Sequence, residues 1–243
     1  MACTRHPERR SPRVAASISV VIPTWREADR IAPTLAALDA QGPDEVIVAD
    51  GGSPDGTADR AEAAPSRPRV LRTGRGRGVQ LRAGAEAASG DVLLFLHADC
   101  RLEDGAIARL RDWSARHPRV PGGCFRMRVE PRGARLAIVE AAANLRAGLG
   151  GLPYGDQAMF ARRWAYERAG GFPPWPLMED VELVRRLGRL GRLAVLPDRV
   201  IVSARRWERT GVVRQTLRNW QLISLWALGV PAERLAPRYP TVR

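Results

Sequence analysis

The residues able to do chemistry stand at the ends of apolar runs. In Gly90-Asp-Val-Leu-Leu-Phe-Leu-His-Ala-Asp-Cys100, the apolar stretch Val92 to Leu96 stops abruptly at His97, Ala98 and Asp99. A short continuous apolar run bounded by polar residues suits a strand buried on both faces of a parallel sheet. Alternate side chains leave a strand on one side, which puts the His97 imidazole and the Asp99 carboxylate together. Ligands of open α/β sheets bind off the carboxyl ends of the strands, where a carboxylate can hold a hard divalent cation against phosphate oxygens. The other role open to Asp99 is to cap a helix beginning near Glu103. Two further runs end in the same way: Thr24 and Glu27 follow Ile18-Ser-Val-Val-Ile22, and Asp50 closes Glu45-Val-Ile-Val-Ala49. Asp50 also suits a turn that bonds its own backbone. Glu179-Asp180 heads an apparent helix, Val181 to Leu190. Those carboxylates can take a proton from a reacting hydroxyl or simply complement the helix dipole.

These residues need a sheet to hold them, and the first hundred residues supply its pattern. The strand Ile18–Ile22 ends at Pro23 and is followed by Ile31, Leu35 and Leu38 at helical spacing. Glu45–Asp50 is the second strand, and Ser53 or Asp55 caps a helix to about Ala64. Arg69–Arg72 is a brief third strand, and Thr73-Gly-Arg-Gly-Arg-Gly78 leads into a helix through Gln80 to Ala88. Strands alternating with helices read as an α/β fold with a Rossmann-like, mostly parallel central sheet. A dinucleotide-binding domain would follow its first strand with G-x-G-x-x-G; here that strand meets Pro23-Thr-Trp-Arg-Glu27. A P-loop needs a lysine, and the chain has none.

Composition narrows the class. A chain of 243 residues with 45% apolar and 27% charged residues fits one soluble α/β domain. Cys3, Cys100 and Cys124 lack the spacing of a disulfide framework or a zinc site, so a reducing cytoplasmic setting is the default. Residues 1–16 read as a disordered basic tail, with four Arg against one Glu. Residues 17–184 balance at 22 Arg against 22 acids, and residues 185–243 hold 13 Arg against three acids. Most of the net charge of +13 therefore lies in the last quarter of the chain. A basic patch suits nucleic acid, anionic lipid or a phosphorylated ligand.

Taken together, Ser19-Val-Val-Ile-Pro-Thr-Trp-Arg-Glu27, Val48-Ala-Asp-Gly-Gly-Ser53, Phe95-Leu-His-Ala-Asp99 and Glu179-Asp180 resemble the motif succession of family-2 glycosyltransferases of the GT-A fold. Gly76-Arg-Gly-Val-Gln80, Tyr154-Gly-Asp-Gln157, Gly170-Gly-Phe172 and Ser203-Ala-Arg-Arg-Trp207 extend the likeness to the bacterial subgroup named selenodomain-associated transferase 2. The resemblance spans about residues 17 to 240. It implies a hexosyltransferase-like enzyme that moves a sugar from a nucleoside diphosphate sugar to a hydroxyl acceptor, with inversion and with Mn²⁺ or Mg²⁺. Pro23, Thr24, Glu27 and Asp50 should line the base and ribose pocket, and Arg77 and Gln80 should approach the ribose or diphosphate. Asp99 takes the place of the second aspartate of the family's D-x-D metal motif and His97 replaces the first; imidazole is an acceptable manganese ligand. Asp180 becomes the base, with Glu179 positioning it or touching the acceptor. Arg205 and Arg206 should clamp the diphosphate beside Trp207.

The resemblance divides residues 17–243 into a nucleotide-binding half (17–100), an acceptor and catalytic half (101–210) and a C-terminal helical segment (211–243). Gly122–Val129 alternates like a strand with one wet face, and Ala134–Leu149 reads as a helix. Asp156 and Gln157 are candidate acceptor contacts or turn residues, and Trp175 is a sugar-stacking or core residue. Gly211 to Leu228 carries Val213, Leu217, Trp220 and Ile223 at helical spacing, with Arg214 and Arg218 on another face. That helix packs on the catalytic domain, or rests peripherally on an anionic membrane at its inner face. Three rival functions remain: a degenerate transferase that binds nucleotide sugars without turnover, a nucleotidyltransferase with a metal-bound Asp on a similar sheet, and a basic nucleic-acid-binding protein. The last leaves the strand-end acids unexplained, so nucleic acid is not expected as a partner.

Overall fold

Alternating apolar strands and helices build one eight-stranded sheet in the computed structural model, which describes residues 15–150 and 153–239. Strands β1 (Ile18–Thr24), β2 (Glu45–Asp50), β3 (Arg69–Arg72) and β4 (Val92–Phe95) are linked in turn by helices α1 (Ala28–Asp39), α2 (Thr57–Glu62) and α3 (Arg77–Ala87). They lie parallel in the order β3-β2-β1-β4. The chain continues through β5 (Cys100–Leu102), α4 (Ala106–Arg116), β6 (Gly122–Glu130), α5 (Ala134–Gly150), β7 (Phe160–Arg162), α6 (Arg163–Arg168), α7 (Glu179–Gly188) and β8 (Ala194–Ser203). These strands extend the sheet as β7-β6-β8-β5. β7 runs antiparallel between β4 and β6, β6 is parallel to β8, and β5 closes the edge antiparallel to β8. Helices α8 (Arg205–Thr210), α9 (Val212–Ala227) and α10 (Ala232–Leu235) finish the described chain.

The sheet is buried on both faces, and period-two alternation sorts its side chains. Val20, Ile22, Val48 and Leu94 face one cluster, where Ile31, Leu35 and Leu38 of α1 meet Ile107 and Leu110 of α4. Val21, Ile47, Leu93 and Phe95 face the other, under Leu81 of α3, Tyr166 of α6 and Leu183 of α7. Each fully buried aliphatic or Phe side chain contributes about 1.5–3 kcal/mol, so the strands that carry the site are the best-anchored part of the chain. A third, smaller cluster joins Leu177, Met178 and Val181 to Leu222 of α9 and Leu235 of α10.

Several local readings change. Cys100–Leu102 is a strand and α4 starts at Ala106, after Gly105 in the left-handed region at φ 75°. Asp99 therefore caps no helix, and it sits with His97 on the segment joining β4 to β5. Helix α2 begins at Thr57 because Ser53 is drawn back, its hydroxyl donating to Asp50, while Asp55 Oδ1 accepts the Thr57 N–H at 3.2 Å and hydroxyl at 2.6 Å. The tail falls mostly on residues 1–14, outside the described residues, but Ala16 is packed into the core. Cys100 and Cys124 are buried free thiols, and Cys3 lies outside the described residues.

Candidate active site

The carboxyl ends of β1 and β2 form a rigid ledge. Asp50 is 1% exposed, and its carboxylate accepts hydrogen bonds from the Thr24 hydroxyl at 3.0 Å, the Ser53 hydroxyl at 2.5 Å, and the N–H groups of Gly52 and Ser53 at 3.0 and 2.8 Å. The Gln80 amide donates to the carbonyls of Thr24, at 2.5 Å, and Ala49, at 2.9 Å. Gln80, expected near the ribose or diphosphate, pins two strand ends together through its amide N–H groups. Glu27 is buried, with its N–H held by the Thr57 hydroxyl at 2.9 Å and its carboxylate by Arg30 at 3.1 Å. Arg75 lies over the Trp25 ring, 4.5 Å from its centroid.

Beyond this ledge a cavity of about 130 Å³ gathers Arg77, His97, Asp99, Asp156, Asp180, Arg206 and Trp207. Elements far apart in sequence deliver them: the loop after β4, the start of α3, a 3₁₀ turn at Gly155–Gln157, the start of α7, and α8. Arg77 is the hub of the charges. Its Nε donates to Glu179 Oε1 in a short ion pair, and its other arm reaches Asp180 Oδ2 at 3.3 Å. Burial works to lower Arg77, but Glu179 and Asp180 outweigh it and raise the guanidinium above its ordinary value.

Asp180 is held in place from three sides. Oδ2 accepts the Gly155 N–H at 2.7 Å as well as Arg77, and Oδ1 accepts the N–H of Val181 at 2.9 Å. Burial alone would raise this carboxyl; Arg77 and the two N–H donors more than offset it and hold Asp180 below the usual range. Glu179 moves the other way: burial pushes it up despite Arg77. His97 is driven down to about 4, first by burial and then by Arg77 and Arg206, against the opposing pull of Asp99 and Asp180. The ring is therefore neutral at physiological pH. A Cβ built on Gly155 would stand 2.9 Å from Asp180 Oδ2 and 3.4 Å from His97 Nε2, which explains why the turn is glycine there.

The arginines after β8 complete the charge pattern. Arg205 reaches Asp99 Oδ2 at 3.4 Å and Glu27 Oε1 at 3.9 Å, while Arg206 donates to the Tyr239 hydroxyl at 2.5 Å. Asp156 Oδ1, Gln157 Nε2 and Glu179 Oε2 are buried without a hydrogen-bond partner. Unpaired buried polar atoms cost ~1–3 kcal/mol each, so their retention is expected where a ligand supplies the partner. Burial also raises the Asp156 carboxyl, against Arg146 and Arg206. Backbone strain marks the same segments: Ala158 and Met178 hold left-handed φ of 44° and 64° beside the turn and α7, conformations that cost non-glycine residues ~1–3 kcal/mol.

Trp175 does not line this cavity; its backbone packs on Gly78 of α3 instead. Sequence reasoning missed Met178, Asn219, Leu222, Ile223 and Tyr239, all of which line it. The helical spacing read in α9 picked out Val213, Leu217 and Trp220, which turn outward, and of that stripe Ile223 alone lines the cavity; nothing pointed to Tyr239.

Residues 19–167 match the family model described as Glycosyl transferase family 2. The chain belongs to that family. Among curated relatives of this family-2 chain, an undecaprenyl-phosphate 4-deoxy-4-formamido-L-arabinose transferase of Pectobacterium carotovorum is 34% identical over 110 residues. That match covers 41% of this chain and 34% of the relative, so the chain spans about a third of the relative's length. Among solved structures, S. aureus TarS superposes with a TM-score of 0.64 at 17% identity, covering 90% of this chain and 41% of TarS. TarS 1-349 in complex with UDP-GlcNAc gives 0.58 at 18% identity, over 77% of this chain and 58% of that one. A mycobacterial protein gives 0.54 at 25% identity, over 77% and 65%. The fold of this family-2 member is thus the GT-A fold anticipated from its motifs.

Proposed function

We propose that the protein transfers a sugar from a nucleoside diphosphate sugar to a hydroxyl acceptor, with inversion at the anomeric carbon. The observation that carries this reading is the single cavity joining the strand-end pair His97 and Asp99 to the Asp180 carboxylate and the Arg77 and Arg206 guanidiniums. Sugar transfer from a diphosphate needs positive charge where the leaving group gains negative charge and a carboxylate where the acceptor loses its proton. Asp180 is the base. Its hydrogen bonds from Gly155 and Val181 fix its direction, and its lowered pKa keeps it ionised, ready to accept. Glu179 holds Arg77, which in turn holds Asp180. Arg205 and Arg206 offer fork-shaped donors to diphosphate oxygens, and Asp156, Gln157 and Trp207 contact the acceptor. Pro23, Thr24, Glu27 and Asp50 shape the ledge under the base and ribose.

Among the described residues no group of three His, Cys, Asp or Glu side chains is gathered closely enough to hold a metal ion. His97 offers an imidazole nitrogen and Asp99 a carboxylate, a pair that suits Mn²⁺, while Mg²⁺ would rest on Asp99 with phosphate oxygens and water. Such a Mn²⁺ or Mg²⁺ would neutralise the leaving diphosphate as a Lewis acid. The complexes of TarS 1-349 with UDP-GlcNAc and with UDP make uridine diphosphate sugars the first donors to try. We read the motif series as that of the selenodomain-associated transferase 2 subgroup and propose a cytoplasmic setting, which the cysteine usage favours.

A thermal-shift screen of nucleotide sugars with Mn²⁺ or Mg²⁺ tests the donor site. A donor at a hundred times its dissociation constant should add about 2.7 kcal/mol of stability, and Asp99→Ala should remove the metal-dependent part of that gain. A panel without any stabilising nucleotide sugar would defeat the proposal.

A further inference from the structure

Helix α9 has two faces with different tasks. Asn219, Leu222 and Ile223 turn inward and line the cavity. Val213, Leu217 and Trp220 are 66%, 62% and 67% exposed. Their spacing of four and then three residues puts them on one stripe. Helix α5, which packs against α9, carries a second stripe: Ile138, Leu145 and Leu149 are 70%, 61% and 82% exposed at spacings of seven and four. Scattered single apolar residues on a surface need no explanation, but two exposed stripes on touching helices do.

The charges around these stripes choose the occupant. Helix α9 has no acidic residue and carries Arg214, exposed one position after Val213. On α5 the exposed Arg135 sits one turn before Ile138, and the one acid of that helix, Glu140, is turned to the sheet, where it accepts the Val129 N–H at 3.3 Å. The chain segment that contains α9, residues 185–243, holds 13 Arg against three acids. Apolar side chains with an exposed Trp, bordered by arginines and free of outward carboxylates, match an anionic bilayer surface. Among the described residues no helix is long and apolar enough to cross a membrane. We infer that the α5–α9 face docks peripherally on anionic lipid and holds the cavity beside that surface. This surface reading stands apart from the transfer chemistry.

The test is vesicle flotation of the full chain with vesicles of phosphatidylglycerol and phosphatidylcholine in equal parts, beside phosphatidylcholine alone. The protein should float with the anionic vesicles and be released at high salt, where the Debye length shrinks to ~3 Å at 1 M. Arg135→Gln with Arg214→Gln should weaken partitioning roughly fivefold for each arginine. Leu217→Gln with Trp220→Ser should weaken it by about tenfold or more. Both pairs should keep the wild-type circular dichroism and donor-induced thermal shift, since none of the four residues lines the cavity. Equal partitioning to neutral and anionic vesicles overturns the inference. So does a dimer in light scattering that Trp220→Ser converts to monomer, which would assign the face to a second copy of the chain.

Discussion

At the scale of single residues, neighbouring groups of the cavity have opposite protonation preferences. Glu179 and Asp180 are adjacent in sequence and share Arg77, yet burial raises the first while Arg77 and two N–H donors keep the second low. His97 is the clearest case for measurement, because it titrates outside the range of an ordinary imidazole. With a folded pKa of about 4 against an unfolded value of 6.5, the unfolded chain takes up a proton first as pH falls. The contribution of His97 to stability is thus complete above pH 6.5 and declines as pH falls toward 4. Thermal melts across that window should show wild type losing stability more steeply than His97→Gln. Parallel profiles would mean the ring is solvated and already protonates near its ordinary value.

At the scale of elements, the site depends on close contact between α3 and the loop that precedes α7. A Cβ on Gly78 would stand 2.7 Å from the Trp175 carbonyl oxygen and would also collide with that of Pro173. Gly78→Ala should cost about 1–3 kcal/mol, the usual penalty of overpacking. It should also weaken donor binding, because Arg77 moves with the start of α3. A melt and a donor titration on the same sample check both, and an unchanged donor affinity would remove Arg77 from the donor site. Much of this scaffold was legible beforehand: apolar runs marked β1, β2, β3 and β4, and polar residues at their ends marked the ledge. Less legible was what each side chain would spend its hydrogen bonds on. Gln80 reads from sequence as a ligand contact, and no local pattern shows that its amide also clamps two strand ends. Nothing in the sequence marks Cys100–Leu102 as a strand, because so short an edge strand is defined by its partner β8, about a hundred residues later. Trp175 reads from sequence as a sugar-stacking or core residue, and the contact its backbone makes with Gly78 is one that no local pattern encodes.

At the scale of the whole molecule, the parallel half of the sheet supplies the strand-end ledge, and the later strands and helices close the neighbouring cavity. Net charge of +13 admitted several partners; family membership gives the strand-end acids a role that a nucleic-acid reading lacks. The central claim concerns which bond breaks, so its most direct test is the phosphorus-containing product. Phosphorus NMR would follow the protein with each nucleoside diphosphate sugar, and separately with nucleoside triphosphates and sugar phosphates. We expect free nucleoside diphosphate from one of the sugars, at a rate that Asp180→Asn lowers ~10²–10⁴-fold while donor affinity is kept. Pyrophosphate released from a nucleoside triphosphate, or undiminished turnover by Asp180→Asn, would contradict the account.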